Sequence, residues 1–539
     1  MRYSARVNCP VEWGFVSSRS YSDPFHDVDL DVLFTAPDGS EQRVPAFWAG
    51  EQEWRVRFAP LQIGEYRWRT SCTDTGNTSL HGVEGTLTVA PYEGSNPLLR
   101  HGGLRVSTDG RYLQHRDGTP FLWLGDTWWM GLCRRLSFPG DFATLTADRV
   151  QKGFTVVQIV AGLYPDMAAF DERGANEAGF PWEEGWTRIN PRYFDMADLR
   201  IHWLVRNGLV PCIVGCWGYY IHWLGVEKMK RHWRYLVARW GAYPVVWCLA
   251  GEILMPFYHD HSRPSEWQEE YARKTRAMWE EVARYVRAID PYGHPITAHP
   301  SVSARDSLPD EVLDFDMLQT GHGDRTSLPN TVQQVIRSYS RQPAMPVVEG
   351  EVCYEGIGEA SRQEVQRLMF WACWLNGAKG FTYGANGIWQ VNTREKPYGA
   401  SPHGMAWGDT PWEEAYHLPG SAQLGMAKRL LERYQWWRIV PHPEWVEPRW
   451  DEGNFLRPYA AGIPGELRFI YVPAYQWRVT VKSIEPGVSY RAWLFDPTSG
   501  REISLGEVHG NDQGDWTTPV LPKFQDWLLV LDRGQEVVG

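Results

Sequence analysis

The chain predicts an α/β protein, a (β/α)8 TIM barrel flanked by N-terminal and C-terminal β-sandwich domains. Three observations predict it. Between residues 118 and 440, eight short apolar runs alternate with helical patterns, as in a closed parallel sheet. Before and after that stretch, apolar and polar residues alternate with period two between turn signals, as half-buried antiparallel strands do. The first apolar run leads into Leu124-Gly125-Asp126-Thr127-Trp128-Trp129, which lacks the glycine-rich phosphate loop of the competing doubly wound sheet. At 539 residues the chain is too long for one core.

Residues 1–92 read as the first sandwich. Val28-Asp29-Leu30-Asp31-Val32-Leu33-Phe34 and Trp54-Arg55-Val56-Arg57-Phe58 alternate inside and outside, and Pro37-Asp38-Gly39, Ile63-Gly64 and Asp74-Thr75-Gly76 supply turns. Residues 93–117 read as a linker with lead-in strands. In the barrel, 118–440, the expected strands are 121–126, 154–161, 209–216, 245–252, 295–299, 315–320, 346–351 and 380–385. Helices are expected over Met229 to Trp240, Glu270 to Ala288, Thr331 to Ser340 and Arg362 to Asn376. Residues 441–539 return to strands, with turns at Pro464-Gly465, Pro486-Gly487 and Ser499-Gly500, and read as a second sandwich.

Composition narrows the function. A net charge of −11 argues against nucleic acid, whose phosphates require a basic face. No run of 18 apolar residues exists, so no membrane span is expected. The chain holds 30 Trp, 25 Tyr and 20 Phe, and flat rings cover the C–H faces of sugars, although most such residues fill cores. The eight cysteines show no zinc-like spacing, and Cys212, Cys216 and Cys248 fall in or beside barrel strands as small hydrophobes. With the opening residues lacking the apolar run of a secretion signal, this predicts a cytoplasmic protein, or a secreted one whose signal is removed. His259-Asp260-His261 lacks the companion motif of a metal site, so no metal and no cofactor are expected. The sequence leaves homo-oligomeric assembly open.

Active sites of such barrels sit where the strands end, at the C-terminal mouth. Glu252 closes the fourth apolar run and Glu351 the seventh, on strands that face each other across the barrel. Two carboxyls over one cavity are the equipment for cleaving a glycosidic bond. Glu252 is assigned as general acid/base and Glu351 as nucleophile. Strict alternation puts Val347, Glu349 and Glu351 on one side, which makes Glu349 a rival nucleophile or a group that pairs with Arg or His to orient the site. Other strand ends supply candidate sugar-binding groups: Asp126, Trp128 and Trp129 after strand one; Trp217, Tyr219 and Tyr220 after strand three; His299, then Gln319 and His322, after strands five and six; Tyr383 and Asn386 after strand eight.

Three stretches resemble the apiosidase-like barrel glycosidases: Pro120-Phe121-Leu122-Trp123-Leu124-Gly125-Asp126-Thr127-Trp128-Trp129, Lys152-Gly153-Phe154-Thr155-Val156-Val157-Gln158, and Gly350-Glu351-Val352-Cys353-Tyr354-Glu355-Gly356. Tyr21-Ser22-Asp23-Pro24-Phe25-His26-Asp27-Val28 and Val44-Pro45-Ala46-Phe47-Trp48 are similar to the sandwich, of the 5060 type, that precedes such barrels. Tyr490-Arg491-Ala492-Trp493-Leu494-Phe495-Asp496-Pro497 is similar to the collagen-binding-type domain that follows them, a label that does not require collagen as ligand. The resemblance implies a retaining barrel with its acid/base after strand four and its nucleophile after strand seven. One departure stands out. The wider clan often has Asn before its acid, where this chain has Gly251.

The leading expectation is therefore an O-glycosidase acting on oligosaccharides of plant or microbial origin, probing short chains from their ends. The alternatives are a non-catalytic carbohydrate-binding protein and a transglycosylase using the same site.

Overall fold

The computed structural model describes residues 1–534. The eight barrel strands are Trp123–Thr127, Val156–Val160, Val210–Val214, Val246–Cys248, Ile296–Thr297, Asp316–Gly321, Val347–Val352 and Gly380–Tyr383. They pair in parallel in the ring order five, four, three, two, one, eight, seven, six. Strands five and six meet at an irregular seam, where the Asp314 N–H donates to the Ile296 carbonyl (2.8 Å) and the Thr297 hydroxyl to the Phe315 carbonyl (3.0 Å). Helices cover the outside of the ring and side chains fill the inside, so strands such as Val156–Val160 and Val210–Val214 are buried throughout and need apolar residues at consecutive positions. The expected helices lie within or against Tyr220–Trp240, Ser265–Ile289, Leu328–Ser340 and Gln363–Leu375.

Two strands differ from expectation. Pro120–Phe121 leaves the barrel and pairs antiparallel with Leu113–His115, so strand one begins at Trp123. Strand four is regular only over Val246–Cys248, yet its continuation stays extended: Leu249 N–H donates to the Thr297 carbonyl (2.9 Å) and Ile253 N–H to the His299 carbonyl (3.1 Å). That continuation delivers Glu252 to the mouth.

At the N-terminal end a five-stranded and a three-stranded sheet face each other. The alternation of Leu30–Thr35 buries Leu30, Val32 and Phe34, and the Phe34 ring stacks on Phe58 of the opposite sheet at 3.7 Å. Six-stranded and three-stranded sheets form the C-terminal end. Buried charges join these parts to the barrel. Arg57 donates to the Arg239 carbonyl (2.8 Å) and to Asp198 (2.5 Å), and Arg367 forms a two-bond pair with Asp526 (2.8 and 2.6 Å).

Candidate active site

The mouth of the barrel holds a cavity of ≈ 220 Å³ that both Glu252 and Glu351 line. A single side chain ties the two together. The Gln319 amide nitrogen, at the end of strand six, lies 3.2 Å from Oε1 of Glu252 and 3.4 Å from Oε1 of Glu351. Those two oxygens can be no farther apart than the two contacts laid end to end.

The surroundings of the glutamates differ in kind. Glu252 accepts a second hydrogen bond from the Trp217 indole N–H (3.2 Å), and no cation bonds to it. Burial, and then the charge of Glu351, raise its carboxyl above the ordinary range. Glu351 accepts from His322 Nε2 at 2.7 Å, and His299 Nε2 lies 3.1 Å from its other oxygen. Burial opposes ionisation here too, but the two imidazoles outweigh it and hold the carboxyl well below the usual range. Protonation is thus favoured at one carboxyl and opposed at the other, the direction of difference that an acid and a nucleophile require.

Local backbone explains both placements. Glu252 has φ of +39°, an uncommon conformation for a residue with a side chain, which turns its carboxyl toward Glu351. Before it, a Cβ on Gly251 would lie 2.1 Å from the Trp217 ring. The Trp217 indole therefore occupies the room that an Asn side chain would need, and its N–H goes to the acid. On strand seven the register slips at Gly350: Leu318 pairs with Glu349 but Gln319 with Glu351. The extra residue separates the two glutamates. Glu349 is buried, accepts from the Thr320 hydroxyl (3.1 Å), and neighbours Cys373 in the surrounding helix Gln363–Leu375. Burial raises its carboxyl well above the normal range. It meets neither Arg nor His and does not line the cavity, so both roles expected of it from alternation fail.

Of the other expected residues, Trp129, Trp217, Gln319 and His322 line the cavity, and His299 sits beneath it, edge-on to Trp129 at 5.2 Å. The rest are engaged elsewhere. Asp126 is fully buried and bonded to Arg149 (2.6 Å) and to the Trp128 indole (2.7 Å), which removes both Asp126 and Trp128 from sugar binding. Tyr219 donates to the Tyr164 carbonyl (3.1 Å) in an aromatic cluster with Tyr220 and Trp223. Tyr383 donates to Glu355 (2.6 Å) rather than to the nucleophile. Asn386 accepts from Gln390 and lies outside the cavity lining. Facing inward at a strand end is not the same as reaching the cavity, because large neighbours fill the intervening layer.

The sequence reading missed Asp166, Tyr258, Tyr354, Trp389 and Trp407, all of which line the cavity. Asp166 follows strand two by six residues, and an inventory of acids in every strand-to-helix loop would have found it. Burial and the Glu252 charge raise its carboxyl to about 7, while the Tyr258 hydroxyl and Trp407 indole beside it pull the other way. Trp389 and Trp407 stand in the long segment after strand eight, where nothing in spacing marks one Trp over another. Among the described residues no three His, Cys, Asp or Glu side chains converge as metal ligands would, and no helix is long and apolar enough to cross a membrane. The eight cysteines are free thiols.

Comparison with known proteins agrees with this geometry. The family model described as "Apiosidase-like, catalytic domain" matches residues 107–438, and that of a domain of unknown function (DUF5060) matches residues 7–73. No curated protein matches the chain. A solved glycoside hydrolase is similar with TM-score 0.68 and 24% identity, over 83% of this chain and 100% of that one. A family 5 glycoside hydrolase from Bacteroides vulgatus ATCC 8482 is similar with TM-score 0.67 and 23% identity, over 83% and 97%. A provisionally assigned glycoside hydrolase from the same organism reaches TM-score 0.70 at 17% identity, over 98% and 100%. At these identities the likeness concerns the fold.

Proposed function

The chain belongs to the apiosidase-like family, and from that premise we propose that it is a glycoside hydrolase working by retaining double displacement, with Glu351 as nucleophile and Glu252 as acid/base. One observation carries the retaining mechanism: the Gln319 amide touches both carboxylates. Its two contacts bound the oxygens to a separation that admits the roughly 5–5.5 Å of retaining enzymes and leaves little of the roughly 6.5–9.5 Å range in which a water fits between carboxyls. The opposed shifts of the two carboxyls support the assignment of roles.

Glu351, ionised, attacks the anomeric carbon while Glu252 protonates the glycosidic oxygen, and the alcohol leaves. A glycosyl ester of Glu351 forms. Glu252, now a carboxylate, takes a proton from water, whose oxygen attacks the same carbon and releases Glu351. The cavity, smaller than the roughly 300–1,000 Å³ of drug-sized pockets, suits one sugar ring more than a chain, which favours removal of terminal residues.

The test is a screen of aryl pyranosides and furanosides with product configuration followed by NMR. Retention is expected in the first product, and Glu351→Gln should abolish turnover with folding intact. Inversion overturns the mechanism, and near-normal turnover in Glu351→Gln overturns the nucleophile. Unchanged sugar affinity in the Gln variants, with no product from any glycoside, would identify a binding protein. Transfer to an added acceptor in place of hydrolysis would identify a transglycosylase.

A further inference from the structure

A third carboxyl opens into the cavity, and its backbone is held with unusual completeness. Every peptide of Tyr164-Pro165-Asp166 is fixed by a side chain from elsewhere. The Tyr219 hydroxyl donates to the Tyr164 carbonyl (3.1 Å), the Tyr398 hydroxyl to the Pro165 carbonyl (3.0 Å) and Arg173 to the Asp166 carbonyl (3.3 Å), while the Tyr258 hydroxyl accepts the Asp166 N–H (2.6 Å). Asp166 itself sits at φ of +56°, a conformation that Asp and Asn tolerate better than other side chains. Three tyrosines and an arginine so spend their polar atoms on presenting one carboxyl, which is buried yet reaches the cavity.

Among the described residues no Lys or Arg lines that cavity, whereas Asp166, Glu252 and Glu351 do, together with His261, His322 and His403. The cavity walls add polar atoms without protein partners: the Trp389 indole N–H as a donor and Gln319 Oε1 as an acceptor. A ligand that completes them must both donate and accept, as the hydroxyls of a sugar ring do.

Resting on the glycosidase reading, we infer that Asp166 is a specificity residue of this site: it grips hydroxyl groups of the glycone. Because all three acids line one cavity of ≈ 220 Å³, a ring whose anomeric carbon lies between Glu252 and Glu351 comes within reach of Asp166. Asp166 takes no part in bond breaking here.

The test uses the full chain with 4-nitrophenyl glycosides of neutral pentoses and hexoses and their monodeoxy analogues. Asp166→Asn keeps the backbone conformation available and removes only the charge and one acceptor; its unfolding temperature serves as the control, and Asp166→Ala is the second variant. On the best neutral substrate kcat/KM should fall about ten- to hundredfold. The loss should shrink toward none on the one deoxy analogue that lacks the gripped hydroxyl. A loss equal on every analogue, or an unchanged kcat/KM, overturns the inference while leaving the glycosidase reading standing. If calorimetric titration of Glu351→Gln with the parent neutral sugars shows no binding, and the wild type cleaves nothing, both fall together.

Discussion

Glu252 and Glu351 are chemically identical side chains that the fold makes into opposites. The difference lies in their nearest donors: an indole and an amide for one, two imidazoles for the other. Activity as kcat/KM requires Glu351 ionised and Glu252 protonated, so it should rise with pH as Glu351 loses its proton and fall as Glu252 does. Two substitutions move these limbs separately. Trp217→Phe deletes a hydrogen bond that favours the Glu252 anion, so that carboxyl holds its proton to higher pH and the alkaline limb moves up. His322→Ala deletes support for the Glu351 anion, and the acid limb moves up instead. A pH–rate profile of each variant checks the direction, and movement of the wrong limb in either would reverse the acid and nucleophile roles. Asp126 offers a contrast. Asp126→Ala strips one carboxylate partner from fully buried Arg149, which keeps Asp148, and should cost about 1.5–3 kcal/mol of stability. The loss should appear in denaturant unfolding, and residual folded enzyme should keep its KM.

At the scale of elements, the site is made by departures from regular strand geometry. Strand four ends early, carries on as extended chain, and turns Glu252 inward through a left-handed residue. Strand seven inserts Gly350, and the extra residue sends Glu349 toward the helices while Glu351 keeps the mouth. Gly251 binds the two adjoining loops by letting Trp217 lie against its backbone. Gly251→Ala should therefore push the indole off Glu252, with an overpacking cost of about 1–3 kcal/mol. Kinetically it should raise the alkaline limb as Trp217→Phe does, since both remove the same N–H. Introducing the clan's usual Asn at this position should fare worse than Ala, because its larger side chain meets the same ring.

For the molecule as a whole, the joints between barrel and sandwiches are as buried as the cores they connect. Arg57 of the first sandwich reaches Asp198 and the Arg239 carbonyl of the barrel helices, and Tyr235 donates to the Trp48 carbonyl (2.8 Å). On the other side Trp371 of the barrel packs against Phe469 and Tyr471, beside the Arg367–Asp526 pair. Separate melting would leave these charges and rings exposed or unpaired. Calorimetry should show one cooperative transition for the full chain, and residues 1–440 alone should aggregate. Two resolved transitions would mean that the joints contribute little.

The eight strands, their order and the sandwiches around them were legible because burial on two faces demands unbroken apolar runs, and burial on one demands alternation; both rules act residue by residue. Glu252 and Glu351 were legible for a related reason, as acids closing apolar runs at the face where strand ends converge. Sequence could not separate Glu349 from Glu351, since the bulge at Gly350 breaks the parity on which any such reading relies. Nor could it tell that Asp126 and Tyr383 are satisfied by Arg149 and Glu355, or that Asp166 is held open by three distant tyrosines. Those outcomes depend on which side chains arrive from remote parts of the chain to fill or free each polar atom, and only the folded packing decides that.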